Sequence, residues 1–151
     1  MSNQVNTTVG LNVAQAGLAF VNGNIQIVGI QNPPLETTVV NGTPLIVADG
    51  IGHLNYANLN MLYMLSDELD ITVGFYTGTD GSTGLIGSAI TVYAGNPYVF
   101  ANGGSTGGVG SNPLGTSNCG SIKITATLNI NGVAQTAITQ TDIHFRSSLS
   151  A

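Results

Sequence analysis

The sequence predicts an all-β fold: a single antiparallel β-sandwich, immunoglobulin-like or jelly-roll, with an extended N-terminal arm. Three observations predict it. Asn-Gly recurs at 22–23, 41–42, 102–103 and 131–132, and Asp-Gly at 49–50 and 80–81. These dipeptides tolerate the positive φ angles of tight hairpin turns. Between them lie short runs rich in Val, Ile, Thr and Tyr, enough for about seven to nine strands. Finally, 151 residues with 42% apolar composition suit one domain whose core folds without metal or disulfide.

The elements follow in chain order. Val5, Thr7, Val9, Leu11 and Val13 alternate with Asn6, Thr8, Gly10 and Asn12. Period-two spacing puts the first set on one face of an extended strand. Residues 1–16 therefore read as an arm or donor strand, and 17–151 as the sandwich. Val5, Val9, Leu11 and Val13 are the candidate assembly residues, because an arm can add a strand to an exposed sheet edge of another copy. Such a head-to-tail contact builds a ring or a filament.

Leu54 to Leu69 fits two periods. Leu54, Ala57, Met61, Leu65 and Leu69 have helical spacing, whereas Leu59, Met61, Tyr63 and Leu65 alternate. The strand reading is preferred, since the neighbouring segments are β and sequential antiparallel strands usually pair.

Asp70 to Tyr76 then runs into a Gly/Asp loop, and Leu85 to Tyr93 returns. The Val73-Gly74-Phe75-Tyr76 strand, the loop and Leu85-Ile86-Gly87 resemble a hairpin of bacterial immunoglobulin-like adhesion modules of the CARDB type. The resemblance covers Ile71 to Val92 and implies a sandwich, with no particular ligand. Tyr98 to Gly120 reads as loop-rich, with a glycine-dense mobile stretch from Asn102 to Pro113.

The clearest hairpin comes next. Ile122 to Ile130 alternates with its apolar set at even numbers, Asn131-Gly132 turns, and Val133 to Ile138 returns. A two-residue turn would pair Ile130 with Val133 and Ala126 with Ala137. A last strand, Thr141 to Arg146, puts Ile143 and Phe145 on one face and Asp142, His144 and Arg146 on the other.

Charge is scarce. Only 6% of positions are charged, against roughly 25% in ordinary domains. Lys123 and Arg146 are the only basic residues besides two histidines, and the formal net charge is −5. Nucleic acid, which needs a basic footprint to displace counterions, is excluded as an expected partner. Anionic membrane surfaces are disfavoured for the same reason. No apolar run approaches the ~18 residues of a membrane span, so no membrane insertion is expected. The N-terminus shows no signal-peptide pattern.

No enzyme signature stands out, and a non-enzymatic protein is expected. His53, His144 and Cys119 are far apart in sequence and lack zinc spacing. His144 shares a strand face with Asp142 and Arg146. Cys119, the only cysteine, reads as an unreactive thiol at a strand start. Asp67, Glu68, Asp70 and Asp80 form a possible ligand or ion loop for calcium, which prefers several oxygen ligands. Tyr56, Tyr63, Tyr76, Tyr93 and Tyr98 could offer glycans a stacking face beside the many Asn and Thr side chains. The leading expectation is a structural subunit that binds copies of itself in an exposed assembly. A virion decoration or tail component, or an extracellular or cell-surface filament, would fit, with other virion or filament proteins as further partners. The alternative is a lectin-like carbohydrate-binding module, with or without calcium.

Overall fold

A computed structural model describes residues 4–13, 21–48, 54, 58–102, 108 and 110–149, and the backbone alone for 4–31. Twelve strands occur in the described residues: β1 (Gln4–Val13), β2 (Val21–Gln31), β3 (Leu35–Val40), β4 (Leu45–Val47), β5 (Leu59–Ser66), β6 (Ile71–Tyr76), β7 (Ile90–Val92), β8 (Tyr98–Ala101), β9 (Ser121–Ala126), β10 (Asn129–Ile130), β11 (Val133–Ala134) and β12 (Gln140–Leu149). The first sheet runs β1-β2-β12-β5-β8, with β3 also on β12, and the second runs β4-β9-β6-β7. Every pairing is antiparallel. The expected all-β sandwich is therefore present.

The core lies between the sheets, and the alternation builds it. Leu62, Met64, Phe100, Ile143 and Phe145 of the first sheet meet Ile71, Val73, Phe75, Ile122 and Ile124 of the second. The strand reading of 54–69 holds over Leu59–Ser66. Burial there does not follow the alternating odd-numbered set alone. Leu62, Met64 and Ser66 are fully buried, and Leu59 and Met61 are buried as well. Tyr63 and Leu65, on the face opposite Leu62 and Met64, are only half-buried, and the register with β12 shifts between Ser148 and Leu149, opposite Met61 and Leu59.

Several expected turns and registers differ. Asn22-Gly23 lies inside β2, opposite Asn12 and Leu11, rather than in a turn. The β1–β2 connection falls within 14–20, outside the described residues. Asn131-Gly132 does turn the chain, with φ of 49° and 80°, and pairs Ile130 with Val133. Ala126 does not pair with Ala137. It pairs with Ile71, because β9 sits between β4 and β6 and has no free edge for a returning strand. The return from Leu85 also differs: Leu85 bridges Tyr76, but regular pairing with β6 begins only at Ile90. In the loop-rich segment Tyr98–Ala101 is a strand, and Leu114 anchors the following chain by packing fully buried in the core.

The β1–β2 hairpin is set apart from the sandwich. β1 is paired to β2 along its whole length, from Gln4↔Ile30 to Val13↔Val21. β2 joins the rest of the sheet only where Ile30 and Gln31 meet Leu149 and Ser148 of β12. Val21 to Gly29 thus has β1 as its only strand partner among the described residues. At ~3.4 Å per residue, this two-stranded stretch is roughly 30 Å long.

Candidate functional site

The scarce charge converges on the outer face of the first sheet. Alternation along β12 turns Ile143 and Phe145 into the core and Asp142, His144 and Arg146 outward. The register places Glu36 of β3 beside His144 and Thr38 beside Asp142, while Leu65 of β5 flanks His144 from the other side. The turn after β5 supplies Asp67 and Glu68. Four of the chain's seven acidic residues, one of its two basic residues and one of its two histidines therefore share one surface.

The contacts are specific. His144 Nε2 lies 2.8 Å from Asp67 Oδ2, and its Nδ1 lies 3.6 Å from Glu36 Oε1. Arg146 also pairs with Glu36. Thr38 donates to Asp142 Oδ1 at 2.6 Å. The Asp142 N–H and the Thr141 hydroxyl donate to Glu68 Oε2 at 2.7 and 3.0 Å. A shallow cavity of about 250 Å³ between β3 and β12 is lined by Glu36, Thr38, Asp142 and His144. This network ties the β3 edge and the β5–β6 turn to β12.

His144 should show in the pH dependence of stability. The hydrogen bond with Asp67 raises its pKa above the ordinary 6.5, partly opposed by desolvation and aided by the charges of Asp67 and Glu36. The folded state then holds the proton more tightly than the unfolded state. That stabilisation is fully present below the unfolded value of 6.5 and is lost as pH rises through the higher folded value. Glu36 has the opposite sign. Its hydrogen bond with Arg146 lowers its pKa below 4.5, so its contribution fades as pH falls through the lower folded value. Thermal melts from about pH 5.5 to about pH 8.5 are expected to show His144→Gln losing most at the acid end and converging on the unmodified chain at the alkaline end. Parallel curves would show that His144 makes no pH-linked contribution.

The four carboxylates read from sequence as an ion loop do not come together. Asp67 and Glu68 join Asp142, with one oxygen from each lying within 4.8 Å of the others. Calcium takes about six to eight oxygen ligands, and these three carboxylates already accept hydrogen bonds from His144, Asp142 N–H, Thr141 and Thr38. Asp80 is elsewhere. It accepts from the Thr83 hydroxyl and the Ser82 and Thr83 N–H groups, which hold its pKa well below the usual carboxylate range.

Asp70 is buried, at 2% exposure, and works internally. Its Oδ1 accepts from the N–H groups of Ala94 and Asn131, both at 2.8 Å, and its Oδ2 accepts from Gly132 N–H at 2.7 Å. One carboxylate thereby joins the ends of β7 and β10. The sequence offered only a faint signal for this role: an acid directly before an apolar strand, with no basic residue nearby.

The remaining candidates separate. His53, Tyr56 and Asp49 lie outside the described residues, as do 103–107. Cys119 is buried, its Sγ 3.1 Å from Ser121 O, and burial pushes its thiol pKa up. Tyr98 donates to Ser111 O, and burial raises its pKa. Tyr63 and Tyr76 are half-buried, while Tyr93 is 48% exposed. The described tyrosines do not form one shared face: Tyr63 and Tyr98 belong to the first sheet, and Tyr76 and Tyr93 lie on or beside strands of the second.

The assembly candidates Val5, Val9, Leu11 and Val13 occupy β1. Residues opposite one another across an antiparallel pair lie on the same face. Val9 is opposite Ile25, Thr7 opposite Ile27 and Val13 opposite Val21. The odd-numbered positions of both strands thus share one face, which by sequence holds Val5, Val9, Leu11, Val13, Val21, Ile25 and Ile27. The even-numbered face holds Gln4, Asn6, Thr8, Asn12, Asn22, Asn24 and Gln26, with Val28 and Ile30 at the end where β2 meets β12.

Compared with family models, curated proteins and solved structures, the chain matches none. Among the described residues no helix is long and apolar enough to cross a membrane.

Proposed function

We propose that the protein is a non-enzymatic structural subunit that assembles with copies of itself through its β1–β2 hairpin, in a virion or an extracellular or cell-surface assembly. The observation that carries this reading is the hairpin register, which collects seven of the nine apolar residues of the two strands on one face. An isolated two-stranded hairpin is marginal in water. This one has no strand on the outer edge of β1 and joins the sandwich at only two residue pairs among the described residues. A second copy can supply what is missing, either a strand on the β1 edge or a sheet over the apolar face.

The magnitudes are adequate. Burying seven Val, Leu and Ile side chains yields on the order of 10 kcal/mol. Association costs an estimated ~4–15 kcal/mol, so an apolar face of this size is on the right scale. With 6% charged residues, little electrostatic repulsion opposes the approach of copies. Hairpin against hairpin closes a two-fold dimer, whereas the hairpin against a different surface of the next copy closes a ring or grows a filament.

The test uses the full chain and the double variant Val9→Lys, Ile25→Lys. Light scattering after size exclusion is expected to give an oligomer for the unmodified chain and a monomer for the variant, with matching circular dichroism. Electron microscopy of the unmodified chain then separates rings from filaments. An unmodified chain that stays monomeric at high concentration, or a variant with unchanged oligomeric size, sinks the reading.

A further inference from the structure

We propose that Tyr93, Asn96 and Asn131 form a binding site for a neutral carbohydrate, and that it needs no calcium. The site lies at the end of the second sheet and is independent of the hairpin reading. Tyr93 directly follows β7 and is 48% exposed. Asn96 follows in a tight turn, its N–H donating to Tyr93 O at 2.9 Å. Asn131 occupies the β10–β11 turn.

The amide orientations follow from their contacts. Asn96 Nδ2 donates to Ala94 O at 3.0 Å, so the carbonyl fixes which end of the amide is nitrogen. The same Nδ2 donates to Asn131 Oδ1 at 2.9 Å. That leaves Asn96 Oδ1 as an acceptor and Asn131 Nδ2 as a donor on two amides joined by a hydrogen bond. A pair of adjacent sugar hydroxyls presents one donor and one acceptor in the same way. The exposed tyrosine ring offers an apolar face of the kind that the C–H face of a pyranose packs on.

The site is held rigid from beneath. The three N–H groups that Asp70 binds belong to Ala94, Asn131 and Gly132. They are the residue after Tyr93, the amide partner itself and the next residue in its turn. Gly132, at φ 80°, brings its turn beside the Tyr93 ring: a Cβ there would sit 4.0 Å from Cε1, in ordinary van der Waals contact. A buried carboxylate thus fixes the backbone beside Tyr93 and at Asn131, and Asn96 is held by Tyr93 O, Ala94 O and Asn131, which lowers the entropy cost of binding. None of the three contact side chains is charged, so the chemistry suits a neutral glycan rather than an acidic one. Val133, 68% exposed, adjoins the site and extends its apolar edge.

The test is affinity electrophoresis of the full chain through gels containing soluble starch, mannan, xylan, β-glucan or glycol chitin, run with excess chelator. Retardation by at least one of these is expected in chelator. Tyr93→Ala is expected to weaken that binding about tenfold, and Tyr93→Phe to leave it nearly unchanged. Asn131→Asp, which exchanges the donor for an acceptor, is expected to weaken it as well, with unchanged melting as the folding control. Three results overturn the proposal: no retardation by any polysaccharide, retardation that vanishes with chelator, or binding indifferent to Tyr93→Ala and Asn131→Asp. A smaller oligomer on Tyr93→Ala without any glycan binding would instead make this patch a contact between copies.

Discussion

Replacing Asp70 with alanine is expected to destabilise the domain by about 3 kcal/mol. The substitution removes the acceptor of three backbone N–H groups at once. They do not count equally. Ala94 is buried and loses its partner outright, whereas Asn131 and Gly132 stand in an exposed turn where water can replace the carboxylate. Asp70→Asn separates the contributions. With its oxygen kept toward Ala94 and Asn131, the amide nitrogen faces the Gly132 N–H, donor against donor, and the expected loss is about 1–2 kcal/mol. Urea unfolding of both variants checks the order, alanine worse than asparagine. Equal stability of all three chains would mean that Asp70 does not organise this end of the sandwich. Hydrogen exchange at Gly132 should accelerate in both variants, and at Asn131 in the alanine variant alone, because only there does the Asn131 amide lose its acceptor.

Phe145→Ala is expected to cost about 4 kcal/mol, lowering the melting temperature by roughly 10 °C. Phe145 is fully buried in the middle of β12, between Leu35 of β3 and Met64 of β5 in the register. It is therefore where three strands of the first sheet reach the second sheet together. Its removal leaves a cavity that backbone pairing on both sides keeps from collapsing, which places the cost in the upper part of the range for such substitutions. A loss below about 1 kcal/mol would show that the core closes around the gap. His144 and Arg146, its neighbours on the opposite face, keep their partners in this variant. The pH dependence expected of His144 should therefore persist while overall stability falls.

Much of the fold was legible locally. The alternation from Thr141 to Arg146 predicted which side chains of β12 enter the core, and it predicted that Asp142, His144 and Arg146 stand together outside. The period-two pattern of Leu59 to Leu65 was enough to prefer a strand, though not to foresee that Leu62, Met64 and Ser66 would be its fully buried set. Asn131-Gly132 turned as expected, yet Asn22-Gly23 did not, because pairing along the whole of β1 outweighs the turn preference of one dipeptide. The candidate sites were less legible, since their parts are distant in sequence. Glu36 and Arg146 are 110 residues apart, and Asp70 reaches Asn131 across 61. No local pattern announces either meeting.

The sequence by itself determined the all-β class, the inward and outward faces of its strands, and the shortage of charge that removes nucleic acid from the expected partners. These are local or compositional properties: side-chain direction alternates within each strand, and charge is a count. Tertiary structure alone decided which strands are neighbours. Pairing depends on closing long loops in one register rather than another, and each register carries every side chain on the strand with it. In this way β12, held between β3 and β5, turned six scattered residues into one ionic surface. A single buried carboxylate, Asp70, likewise drew Tyr93, Asn96 and Asn131 to the same corner.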